Sequence, residues 1–232
     1  PGIFLKNDFL IKFNSFILAM FCSQQCMTIG RRFHQFECTI ELDIENESDI
    51  FQMNHRMVFE ALGIFEKIEM LKDFMEQLNS QTQKTIFDLD LSDAIDCEKK
   101  LLLATNSGLQ RNSVPPKLAP LMASHSSLMM SITSNESHKK FLSDFMKQQM
   151  EILVTNTFGL VENEVEIGSG IFPFASFFNH SCAPNITRIT VDGQLIFIVL
   201  RPIQINHQLF VCYREEFHHC PSQQRREELS TS

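Results

Sequence analysis

The segment Phe172-Pro173-Phe174-Ala175-Ser176-Phe177-Phe178-Asn179-His180-Ser181-Cys182-Ala183-Pro184-Asn185 sets a dense polar cluster directly behind an apolar run. Asn179, His180, Ser181 and Asn185 cost free energy to bury unless each finds a partner, while the phenylalanines carry the segment into a core. One reading is a turn between two buried elements. The sharper one is a ligand site, in which an amide, an imidazole and open backbone groups read a polar small molecule inside an apolar wall. A second constellation lies upstream, where Cys22, Cys26, His34 and Cys38 follow Cys-x3-Cys-x7-His-x3-Cys. Residues four apart share a helical face. Cys22 with Cys26 and His34 with Cys38 therefore form two pincers, and thiolate with imidazole suits tetrahedral zinc. Cys182 beside His180 also offers a thiol nucleophile and a base, but no further acid–base constellation in the sequence supports that pairing.

Asn179-His180-Ser181-Cys182-Ala183-Pro184-Asn185 resembles the Asn-His-Ser-Cys-x-Pro-Asn signature of SET-domain lysine methyltransferases, and Phe210-Val211-Cys212-Tyr213 resembles the short strand that ends in their catalytic tyrosine. Phe33-His34-Gln35-Phe36-Glu37-Cys38 resembles the close of a MYND zinc finger. MYND followed by SET is the arrangement of the SET and MYND domain (SMYD) methyltransferases. The resemblance implies methyl transfer from S-adenosylmethionine to a lysine amine of a protein substrate, histone or non-histone. It implies Tyr213 as catalytic residue, Asn156, Ser176, Phe178, Asn179 and His180 as contacts to the donor, and Phe158 as a wall of the lysine channel. It further implies zinc at Cys22, Cys26, His34, Cys38 and Cys182, and a proline-rich peptide as partner of the MYND part.

The same resemblance marks departures. Residues 1–20 hold no cysteine, so half of each MYND zinc site is absent; neither the family's N-terminal Gly-x-Gly lobe nor its closing Cys-x-Cys-x2-Cys is present. On this reading the sequence is an interior fragment or an incomplete gene model, impaired in methyl transfer when taken as residues 1–232 alone. The alternative is a non-catalytic interaction or regulatory module.

The sequence has 232 residues, 44% of them hydrophobic, with 20 basic and 28 acidic groups for a net charge of −8. That suffices for a sizeable core. An acidic balance excludes general adhesion to nucleic acid, which needs clustered Lys and Arg, and suits basic peptides better. Seven cysteines with metal-type spacing fit a reducing compartment, hence cytoplasm and nucleus. Lys12 and Asn14 interrupt the apolar run Phe9–Phe21, which lacks the small-residue cleavage site of a signal peptide, and no stretch is long enough to span a membrane.

The elements that must position these residues follow from period. Apolar residues at helical spacing predict one long amphipathic helix over Asn54–Leu78, a second over Lys139–Thr157 and a further one within Ile86–Leu103. Thr105–Ser137, rich in Ser, Asn and Pro, reads as a loop with short helical pieces. After Gly168 the period becomes two. Ile186–Val191 and Gln194–Leu200 flank Asp192-Gly193 as a hairpin, Leu209–Tyr213 gives a third strand, and Asn206 suits a left-handed turn. The fold expected is α+β: an uncertain segment 1–21, a partial MYND finger 22–45, a helical insert 46–157, a SET core 158–217 of small antiparallel sheets with a pseudoknot, and a truncated post-SET lead-in 218–232.

Overall fold

Where apolar residues recur three and four apart, the chain is helical. The computed structural model describes residues 23–37, 49–65, 67–80, 109, 111–162, 165–191, 193–213, 221–223 and 226. Among them the helices are α1 (Gln24–Glu37), α2 (Asp49–Phe65), α3 (Ile68–Ser80), α4 (Ala119–Met130) and α5 (Glu136–Asn156). The described residues divide into two compact units at Thr155 and Asn156. The first is all helical. Phe51, Val58, Phe59, Leu62, Phe65, Leu71, Met75, Met122, Leu142, Phe145 and Met146 form its core.

The single helix expected over Asn54–Leu78 is two. Lys67 N–H reaches back to Phe65 O at 2.6 Å, and the chain turns so that Phe74 meets Phe65 with ring centroids 4.8 Å apart. Both helices thereby present apolar faces to one core. The expected loop Thr105–Ser137 also needs correction, because α4 is a full helix burying Met122, His125 and Met129. Its prolines mark a start: Pro120 stands in the first turn, where the missing N–H costs nothing. Helix α5 is close to expectation and is capped by Asn135, whose Oδ1 accepts from Ser137 N at 2.9 Å and His138 N at 3.3 Å. The helix expected within Ile86–Leu103 lies outside the described residues.

Two features hold α1 and α4 onto α2. Arg56 donates to Glu37 Oε1 from Nη2 at 2.9 Å and from Nε at 3.1 Å, and its guanidinium lies 4.2 Å from the Phe33 ring centroid. These bonds and His34 outweigh burial and keep the Glu37 carboxyl below its usual range. Deeper, His55 Nε2 and His125 Nδ1 approach to 3.0 Å, with the His125 ring stacked on Phe51 at 4.3 Å. A Cβ on Gly63 would stand 2.9 Å from Arg32 Cβ and 3.0 Å from Arg32 O, so α1 and α2 touch there through backbone. Gly63→Ala is accordingly expected to destabilise the helical unit by about 1–2 kcal/mol in urea unfolding, the overpacking exceeding the propensity gain. A more stable variant would refute the close approach.

The second unit is built of strands. β1 (Thr157–Glu162) and β2 (Val165–Ile171) are antiparallel, as are β4 (Ile186–Val191) and β5 (Gln194–Val199); β3 (Asn179–His180) and β6 (Phe210–Val211) pair in parallel. The hairpin at Gly193, with φ 72°, and the left-handed Asn206, with φ 68°, agree with expectation. Two expectations do not hold. One sheet is parallel, and the strands begin at Thr157 rather than after Gly168. Gly168 sits inside β2 at φ 145°, beside a register shift at Leu160/Val161. A bulge with a permissive glycine bends the hairpin there. Among the described residues no helix is long and apolar enough to cross a membrane.

Candidate active site

The polar cluster is satisfied almost group by group. Asn185 is 9% exposed and its side chain bridges two points of one segment, donating from Nδ2 to Gln208 O at 2.9 Å and accepting from Phe210 N at 2.7 Å through Oδ1. Its backbone joins two more, with Leu200 N donating to Asn185 O at 2.9 Å and Asn185 N to Phe210 O at 3.3 Å. Ser181 Oγ accepts from Ala183 N at 3.1 Å, and Ser181 N donates to Val211 O at 2.9 Å. The short parallel pair β3–β6 is thus fixed by side chains where its own ladder is too brief to hold it.

This clamp delivers Tyr213 to Phe178 and His180. The Tyr213 hydroxyl donates to Phe178 O at 2.7 Å, and the Tyr213 backbone N–H donates to His180 Nδ1 at 3.1 Å. An Nδ1 that accepts carries no proton, so the neutral ring holds its proton on Nε2, which faces Cys182 Sγ at 3.1 Å. Burial lowers the His180 pKa and favours that neutral form. Both ring nitrogens are committed and neither lone pair is left to take a thiol proton. The geometry therefore disfavours Cys182 as a nucleophile. Tyr213 remains 48% exposed, and burial raises the pKa of its phenol. At neutral pH it is an un-ionised hydroxyl whose oxygen lone pairs are open to a donor.

Phe178 is half-buried with its ring edge-on to Phe197 at 4.7 Å. Asn179 is exposed, and its carboxamide makes no hydrogen bond among the described residues. Ser176 donates through Oγ to Phe172 O at 3.2 Å. Asn156 is buried at the end of α5, two residues before Phe158, which is 8% exposed and meets the Phe172 ring edge-on at 5.9 Å. The open Asn179 amide beside an aromatic side chain fits a ligand with a polar end and a flat body. His180 can meet such a ligand only through its main chain.

Of the upstream metal quartet, only Cys26 and His34 are described. Cys22 and Cys38 lie outside the described residues. Cys26 and His34 stand in the one continuous helix α1, and eight residues correspond to about 12 Å of rise. They cannot share an ion at metal–ligand distances near 2 Å. The His34 ring is bonded through Nδ1 to Glu37 at 3.2 Å. Among the described residues no three His, Cys, Asp or Glu side chains converge on a metal position. Cys26 and His34 therefore belong, at most, to separate pairs, each of whose second members lies outside the described residues.

Sequence reasoning missed Arg188, whose guanidinium carbon stands 4.7 Å from the Phe158 ring centroid. The available signal was a charge in an otherwise uncharged strand. It also missed Gln208 as the anchor of Asn185, which a backbone carbonyl in a loop does not announce.

Comparison with known proteins bears on the whole arrangement. The human Histone-lysine N-methyltransferase SMYD3 is 31% identical over 78 residues, 33% of this chain and 18% of that protein. A SET and MYND domain-containing protein of Dictyostelium discoideum is 39% identical over 75 residues, 32% of this chain and 19% of that one. A second Dictyostelium protein of the same description is 24% identical over 205 residues, covering 86% of this chain and 36% of its own length. The chain thus spans about a fifth of the length of the first two relatives. The family profile described as "SET domain" matches residues 6–214, nearly the whole length, and the chain belongs to the SET-domain family.

Proposed function

We propose that this chain forms part of a protein-lysine N-methyltransferase of SET and MYND type that uses S-adenosylmethionine. The observation that carries the reading is the Tyr213 hydroxyl bonded at 2.7 Å to Phe178 O, next to the open Asn179 amide. Asn156, Ser176, Phe178, Asn179 and the His180 main chain would hold the donor, which supplies a methyl group on a sulfonium. Tyr213 keeps its proton and donates it to Phe178 O, so its oxygen accepts an N–H of the substrate amine and aims the nitrogen lone pair. A free lysine at pH 7 loses its proton at a cost of about 4–5 kcal/mol. An apolar channel walled by Phe158 lowers that cost by disfavouring the ammonium. With the donor bound, the amine aligned by Tyr213 would bring its free lone pair to the methyl group, its proton having already left through water.

Zinc enters this reading only as separate half-sites, Cys22 with Cys26 and His34 with Cys38, and at Cys182 by family resemblance. The substrate is a lysine-bearing protein, histone or non-histone, met in the cytoplasm or nucleus. The test is calorimetric titration of the full-length gene product with S-adenosylmethionine, with and without zinc, followed by label transfer to lysine peptides. Heat and label are expected. No heat under either condition would leave a non-catalytic interaction module, with a proline-rich peptide as its partner at the MYND part.

A further inference from the structure

Arg188 occupies the middle of β4, among Ile186, Thr187, Ile189, Thr190 and Val191. It is half-buried and its guanidinium covers one face of the Phe158 ring, with 4.7 Å to the centroid. Such stacking is favourable electrostatically, yet a part-buried cation ordinarily keeps a carboxylate nearby. None lies within ion-pair distance of Arg188 among the described residues. The elements against β4 are β1, β5 and β6. β1 offers Glu162 at its far end, engaged with Gly193 N at 3.0 Å; β5 carries no ionisable group; beyond β6 come Cys212 and the un-ionised Tyr213. Burial lowers the proton affinity of Arg188 and Cys212 opposes it, but a guanidinium stays charged at any working pH.

We propose that Arg188 is a positioning residue for substrate selection: a fixed cation behind Phe158 that rejects the ammonium form of the incoming lysine and admits the neutral amine. The inference rests on the methyltransferase reading and on Phe158 as the channel wall. On that reading the substrate amine meets the ring on its side away from Arg188, where Phe172 also stands edge-on at 5.9 Å. An ammonium there would lie roughly 8 Å from the guanidinium, where two like charges in a part-buried site shift the titration by about one pH unit. Arg188 is then a group that acts on the substrate through a ring and touches no reacting atom.

The experiment is kcat against pH in the full-length protein, with donor and lysine peptide saturating, because that profile reports ionisations in the complex. In R188M the acid limb is expected to move up by about one pH unit, a roughly ten-fold loss at fixed pH on that limb, with donor affinity unchanged. R188K restores the cation and is expected to return the limb toward wild type; R188Q serves if R188M does not fold. A limb in R188M or R188Q that superimposes on wild type, or one in R188K that moves as far as in R188M, overturns the proposal. A wild-type protein that labels no lysine peptide overturns the methyltransferase reading itself, and does so before any variant is compared.

Discussion

Tyr213→Phe is expected to lower methyl transfer by about 10²–10³-fold while leaving donor affinity within about two-fold. The hydroxyl donates to Phe178 O and offers its remaining lone pairs to the amine, a contact that gains strength as the nitrogen is aligned for attack. Removing it leaves the donor contacts intact. Asn179→Ala is expected to do the reverse, raising the dissociation constant for S-adenosylmethionine by about ten-fold with little change in rate at saturating donor. Titration calorimetry separates donor binding, and single-turnover label transfer separates the chemical step. Equal loss of donor affinity in the two variants would remove Tyr213 from its role. Loss of the Phe178 bond also costs about 1 kcal/mol of stability at this half-exposed position, so both variants are compared well below their unfolding temperatures.

Acid is expected to unlock the helical unit. His55 is 1% exposed, and burial, with His125 beside it, pushes its pKa down from 6.5 to about 4. His125 shifts in the same direction through burial. In the unfolded chain His55 binds a proton below pH 6.5, and in the folded chain only below about 4. Stability is therefore complete above pH 6.5, falls as pH drops toward 4, and loses about 3 kcal/mol across that window from His55 alone. Glu37, whose carboxyl is held below its usual 4.5, contributes its own loss only at lower pH. Urea unfolding of the helical signal between pH 7 and 4.5 reads the slope, and His55→Phe is expected to flatten it. A slope undiminished in His55→Phe would place the titration elsewhere.

Legibility in the sequence tracked how local the cause was. The β4–β5 hairpin could be read because Asp192-Gly193 needs only its own backbone to turn. The site motif was readable because its polar side chains demand partners wherever they are buried. The break between α2 and α3 was not readable: apolar spacing runs through it without Pro, Gly63 sits inside α2 rather than at the turn, and only the meeting of Phe65 with Phe74 reveals the turn. Helix α4 was obscured by its own prolines, which open a helix as readily as they close one. The strands before Gly168 were missed because a glycine serving a bulge looks like a boundary. Asn185 and Arg188 act across about 25 residues or more of chain, against Phe210 and Phe158 respectively, a range no local pattern reaches.

The brevity of β3 and β6 bears on the order in which the second unit assembles. A parallel pair two residues long has no turn to nucleate it, and His180 and Val211 must find each other across the intervening chain. The β4–β5 hairpin lies inside that loop and closes on local contacts, ending with Leu200 N on Asn185 O at 2.9 Å. Its closure roughly halves the loop still to be shut, which saves about 0.6 kcal/mol of chain entropy. The hairpin is thus expected to close first in a site to which it brings Arg188 beside Phe158 and Phe197 against Phe178, with Tyr213 reaching Phe178 afterwards.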